Sequence, residues 1–130
     1  NRAEREVMWA RHDMKIYNGI TITDFFHGYQ DILALGTDSQ NSKVFDIVYE
    51  LKNIGANIDV YDPLVNKNDL IDINLVNSLK RSFYDAIIIA LAHKDFEKFK
   101  NNKLRYYCKS NGLIFDLKHL LKIDESDFRL

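Results

Sequence analysis

Between residues 31 and 63 two short apolar runs flank one amphipathic stretch, and this spacing restricts the fold more than any other feature of the chain. Ile32-Leu33-Ala34-Leu35 closes at Gly36, the form of a strand buried on both faces. Val44, Ile47, Val48 and Leu51 then recur at helical spacing along one face. Ser42 is placed to cap that helix, and Gly55 to stop it in the left-handed conformation. Ile58-Asp59-Val60-Tyr61 reads as a second strand, ended by Asp62-Pro63. Proline has no N–H to give a ladder and steers the residue before it away from helix. Strand, helix and strand within about thirty residues make the usual βαβ unit.

The alternation continues downstream. Residues 68–79 read as partly helical, with Leu75, Val76 and Leu79 on one side, and residues 85–91 form the most apolar strand, predicted to be central. Residues 94–100 and 104–109 read as helical, 113–117 as a fourth strand and 118–122 as the first turn of a last helix. Strands alternating with helices predict an α/β fold, a Rossmann-like three-layer domain with a parallel sheet. Right-handed crossovers give the strand order 2-1-3-4, so a ligand belongs at the carboxyl ends of the strands, where the order reverses. This domain is expected to span residues 31–130.

Residues 1–30 read as a leader or linker. Within them 3–14 suggests a short helix and 20–23 a strand, while 25–29 is aromatic and irregular. A linker, a docking arm and an added extension all fit. The 18 basic and 19 acidic residues leave a net charge of −1, which offers no footprint for nucleic acid or an anionic membrane. The longest apolar run, residues 86–92, is far below the roughly 20 residues of a membrane span. Residues 1–14 carry no apolar core of a secretory signal. A single cysteine, Cys108, permits no internal disulfide, so a cytoplasmic location is expected.

The strand ends hold the residues worth weighing. The turn after the first strand contains one glycine, Gly36, where a dinucleotide fingerprint needs three, so no independent NAD site is expected. Asp62 stands where a ribose-binding acid would lie; before a proline, turn stabilisation is the simpler role. His93 follows the central strand and suits either a hydrogen bond to a phosphate or the anchoring of the 92–94 turn. Lys118 follows the fourth strand and suits an ion pair with a phosphate, though a solvated surface lysine is the commoner case. Cys108 has no local base or helix N-terminus to activate it and is read as packing. No grouping has metal-ligand spacing.

Five pieces in order, Asn41-Ser42-Lys43-Val44-Phe45-Asp46-Ile47-Val48-Tyr49-Glu50-Leu51, Val60-Tyr61-Asp62-Pro63, Tyr84-Asp85-Ala86-Ile87-Ile88, Ala92-His93-Lys94-Asp95-Phe96 and Ile114-Phe115-Asp116-Leu117-Lys118, carry a family resemblance. Over residues 31–121 the chain resembles the C-terminal, UDP-binding domain of the UDP-glucose/GDP-mannose dehydrogenases. Within that family it looks most like the bacterial UDP-N-acetylhexosamine 6-dehydrogenases of polysaccharide biosynthesis. The resemblance implies a UDP-sugar as ligand and, in the full-length family, NAD as cofactor, bound by a separate N-terminal domain. Those enzymes oxidise a nucleotide sugar to the uronate through a cysteine thiohemiacetal. Carried over by position, Lys118 matches a basic residue that contacts substrate, and His93 a recurrent histidine.

This chain departs from the pattern in three places. The family's Phe-Lys after the first strand, which contacts substrate, is absent, Gln40 stands where an arginine reaches NAD, and Cys108 does not match the catalytic cysteine. The resemblance therefore implies a substrate-binding domain inactive alone, with no catalytic residue and no cofactor expected on this chain by itself. The alternative is a non-catalytic nucleotide-binding or dimerisation module. The family's habit of dimerising implies a homo-oligomer or pairing with a full-length dehydrogenase subunit.

Overall fold

A computed structural model of the chain describes residues 21–37, 43–66 and 72–129. The expected helix at 3–14, the capping Ser42 and most of the 36–41 turn lie outside the described residues.

Five residues, Asp31–Leu35, form β1, and its partner β2 is Asn57–Tyr61. The helix between them, α2, is Lys43–Asn53; a shorter helical turn, α1, is Ile22–Phe25. Ile47, Val48 and Leu51 of α2 are buried, as their spacing requires. The helix ends in a Schellman motif. Gly55, at φ +98°, donates to the Lys52 carbonyl, and the Ala56 N–H reaches back to Leu51.

Four further strands complete the sheet: β3 is Asn74–Leu75, β4 Tyr84–Ile89, β5 Cys108–Asp116 and β6 Phe128–Arg129. All pairs are parallel and the order is β3-β2-β1-β4-β5-β6. The four strands expected from sequence thus stand in the expected order, with a two-residue strand added at each edge. The most apolar of them, β4, lies centrally, between β1 and β5.

Alternate residues of each strand enter opposite cores, as the period of two dictates. Ile32, Ala34, Ile58, Val60, Ala86 and Ile88 face α2. Leu33, Leu35, Ile87, Ile89 and Ile114 face the other side, against Phe96, Phe99 and Leu104. Those last three belong to two 3-10 helices, Lys94–Phe99 and Leu104–Tyr107. The helical expectation there holds as tight 3-10 turns rather than α-helix, and it fails at Cys108 and Lys109, which already belong to β5. Asn101 and Asn102, both at φ +62°, bend the chain between them.

Three expectations require correction. Ile22 and Thr23 begin α1 rather than extend a strand. The described part of 68–79 contains β3 and no helix, because Val76 donates to the Val60 carbonyl and the segment runs on as a sheet edge. Residues 118–122 are not helical either, because Asp116 captures backbone N–H groups that a helix would need, including those of Lys118, Leu120 and Leu121.

The aromatic segment at 25–29 is part of the core. Phe26 is fully buried, and Phe25 lies 4.8 Å from Phe26, 5.6 Å from Phe115 and 5.1 Å from Phe128, all edge-on. Packing therefore reaches upstream of Asp31. Replacing Phe26 by Ala is expected to cost about 3–5 kcal/mol in urea denaturation, the usual loss for a buried aromatic. An unchanged midpoint would remove this segment from the core.

Two carboxylates fasten the sheet's margins. Asp85 accepts the N–H groups of Gln30 (3.1 Å) and Asp31 (2.9 Å) and pairs with Lys109 at 2.9 Å. Burial alone pushes its carboxyl up, but these donors and the ammonium together hold it below the usual range. Glu125 is held low chiefly by the Asn102 N–H at 2.6 Å, with Lys122 donating at 3.1 Å. Acids with depressed folded-state pKa values stabilise the fold above their ordinary pKa, and that contribution is lost as pH falls through the folded value. Denaturant melts should therefore show stability falling in acid from about pH 5 downward. Glu125→Gln should lower the neutral-pH plateau and flatten that slope; an unchanged slope would count against the clamp.

Candidate functional site at the carboxyl rim

Parallel pairing brings the carboxyl ends of all strands to one edge, and β1 and β4 diverge there to opposite sides of the sheet. The chain leaves β1 through Gly36, whose N–H donates to the Tyr61 carbonyl at 2.9 Å. Gly36 sits at φ +89°, and a Cβ there would stand 2.6 Å from that of Leu91. Packing of the β1 exit on the β4 exit therefore demands this glycine.

Asp62 is buried at the end of β2. One oxygen accepts from the Thr37 N–H (2.8 Å) and hydroxyl (3.0 Å), and the other from the Leu64 N–H (3.0 Å). The turn-stabilising role expected from Asp-Pro is thus what the geometry shows, extended by a tie to the β1 exit.

Asp116, fully buried at the end of β5, organises the third loop. Its Oδ1 accepts from Lys118 (3.2 Å) and Leu120 (3.1 Å), and its Oδ2 from Leu121 (2.8 Å). A carboxylate sharing its lone pairs among successive backbone N–H groups fixes the loop's path. The consequence is that Lys118 is presented outward, with its side chain exposed.

His93 leaves the neighbouring strand. It is extended (φ −128°, ψ 147°) and caps the 3-10 helix that follows, its Nδ1 accepting the Asp95 N–H at 3.0 Å. A ring whose Nδ1 accepts carries its proton on Nε2, so that N–H is the donor left for other work. The half-buried ring stands edge-on to Phe96, and the Asp95 carboxylate lies 3.5 Å from Nδ1. The anchoring role weighed for this residue is therefore real.

The loops carrying His93 and Lys118 spring from paired positions. Ile89 is opposite Asp116 in the ladder, and the Leu117 N–H donates to the Ile89 carbonyl at 3.2 Å. Both residues thus lie on one edge of the sheet, although no hydrogen bond joins their side chains among the described residues. Sequence reasoning missed Thr37 as the partner of Asp62, since that contact spans 25 positions. The anchoring by Asp116 was missed as well, because the leucines at 117, 120 and 121 make the segment after it read as the start of a helix. Cys108, buried in the core, has its thiol pushed up to about 11, chiefly by burial.

Residues 36–123 match the model of the UDP-glucose/GDP-mannose dehydrogenase family, UDP binding domain. The chain belongs to that family. It is 38% identical over 96 residues to a UDP-N-acetyl-D-glucosamine 6-dehydrogenase of Pseudomonas aeruginosa, covering 72% of this chain and 23% of the relative. It is 33% identical over 96 residues, with the same coverage, to the enzyme of that name from Salmonella typhi. It is also 31% identical over 91 residues to Protein CapL of Staphylococcus aureus, covering 68% of this chain and 21% of the relative. The chain thus spans about a quarter of the length of these relatives. Among solved structures, the apo form of D-lactate dehydrogenase from Escherichia coli matches with TM-score 0.57 and 17% identity, over 95% of this chain and 39% of that one, a likeness of fold alone. No described helix is long and apolar enough to cross a membrane.

Asp62 is buried and accepts from Thr37 and Leu64, so the turn-stabilising role accounts for its hydrogen bonds. Gly36 is required by the close approach of Leu91. Cys108 is buried, so it should react with a disulfide reagent at pH 8 only when denaturant opens the core. Prompt labelling of the folded chain would contradict its placement.

Proposed function

We propose that this domain binds the uridine diphosphate end of a nucleotide sugar at its carboxyl rim, as the C-terminal part of an NAD-dependent UDP-sugar 6-dehydrogenase. The observation that carries the reading is the loop wrapped on Asp116, which offers Lys118 at the edge where His93 also emerges. An exposed ammonium is a point charge suited to a phosphate, and its loop is held in place before any ligand arrives. Lys118 would take a phosphate oxygen, and His93 would donate from Nε2. The relatives' names supply the substrate class, a UDP-N-acetylhexosamine.

In a complete dehydrogenase NAD would supply hydride acceptance from a separate domain. The residues of this chain bind and orient substrate; its one thiol, Cys108, is buried and held protonated and does not serve as the nucleophile. The same observation favours a second reading, a nucleotide-binding module that acts by pairing with a full-length subunit. On either reading the domain takes in residues upstream of 31, because Phe25 and Phe26 complete its core.

Calorimetry with UDP on the 130-residue chain should show binding that Lys118→Gln weakens about tenfold, roughly the 1.4 kcal/mol of one charge-assisted contact. The chain alone should release no NADH from NAD and a UDP-sugar. Absence of UDP binding, or indifference to Lys118→Gln, would overturn the rim assignment; turnover would overturn the inactive reading.

A further inference from the structure

On the face opposite α2, a groove of about 600 Å³ runs between residues 77–79 and the two 3-10 helices. The largely buried Tyr61 and Phe99 form its floor, with Asn77, Lys98, Lys103 and the exposed Tyr106 around it. None of the rim residues Thr37, Asp62, His93 and Lys118 lines it. The volume falls within the roughly 300–1,000 Å³ usual for small-molecule sites.

Its charge is one-sided. Residues 77–83 and 98–107 contain Lys80, Arg81, Lys98, Lys100, Lys103 and Arg105 and no acid, in a chain of net charge −1. Three of these cations are neutralised from outside the two segments: Lys80 lies 3.7 Å from Asp59, Lys100 2.7 Å from Glu97 and Arg105 2.8 Å from Asp127. Arg81, Lys98 and Lys103 have no carboxylate within ion-pair distance among the described residues. Two of them are held against rings instead. The Arg81 guanidinium stands 4.4 Å over the Tyr106 ring. The Lys98 ammonium lies 4.9 Å from the Tyr61 centroid and donates to its hydroxyl at 2.6 Å. Rings fix the position of a cation without cancelling its charge.

A concave site with unmatched positive charge concentrates anions, and apolar surface beside it favours an organic anion over a bare one. We infer that this groove binds an organic phosphate of mononucleotide size, its ring beside Tyr106, the exposed ring of the lining, and its phosphate met by Lys98 and Lys103. The cations sit on two segments only, which favours a small ligand over a polymer. The inference stands apart from the rim and does not depend on it.

Titration of the 130-residue chain with AMP, followed by amide chemical shifts, tests it. The expected result is movement at residues 77–79 and 98–107. Inorganic phosphate should bind at least tenfold more weakly than AMP, and added salt should weaken both. Lys103→Gln, whose side chain holds no other part of the fold, should reduce AMP affinity about tenfold with an unchanged melting temperature. Arg81→Gln should act in the same direction, and Lys118→Gln should leave AMP binding intact. No shifts, shifts confined to the 117–121 loop, equal affinity for phosphate and AMP, or binding of an acidic peptide but not of AMP would each overturn the inference. A failed rim assignment would appear separately, in the Lys118 response to UDP.

Discussion

From Ile32 to Leu35 strand β1 has no access to water. Those residues are buried, and β2 and β4 occupy its two edges, both parallel to it. Its backbone hydrogen bonds must therefore be met within the sheet, and each parallel partner has to return by a crossover outside it. From that constraint follow the two-layered core, the divergence of the chain at the carboxyl ends of β1 and β4, and a single edge at which every strand terminates. The candidate rim is a consequence of this geometry before any particular side chain is considered.

The two edges of the sheet use their polar groups differently. At the amino edge the side chains satisfy one another: the Tyr84 hydroxyl and the Asn74 amide both donate to Asp59, at 2.8 and 2.6 Å, while Lys109 pairs with Asp85. At the carboxyl edge the two buried carboxylates, Asp62 and Asp116, are turned inward on backbone N–H groups. They hold loops in place and leave the charge of Lys118 facing solvent. An edge with fixed loops and an outward cation suits an anionic ligand better than one whose charges are already paired.

Where the sequence carries a period, it was legible. Ile47, Val48 and Leu51 repeat often enough to declare their helix, and Gly55 marks its end unambiguously. The apolar run of β4 announced a central strand. Segments too short for a period were not legible: two residues of β3 give no alternation, and the 3-10 turns at 94–99 and 104–107 resemble broken α-helix until Asn101 and Asn102 adopt positive φ. Phe25 and Phe26 were opaque for another reason, since their partners Phe115 and Phe128 lie some ninety or more positions away. At the rim, Lys118 emerged by its position after a strand and by the family resemblance. The Thr37–Asp62 tie and the basic groove arise only when distant segments meet.

The proposed binding of substrate at the rim rests on Lys118 and His93, which emerge at one edge from loops fixed by Asp116 and by the β4–β5 ladder. The most direct test of that claim is the amide spectrum of the chain titrated with a UDP-sugar. Binding at the rim should move the resonances of residues 89–93 and 117–121 together, to saturation. A saturating titration that moves only the amino edge, around Asp31, Asp59 and Asp85, would contradict it.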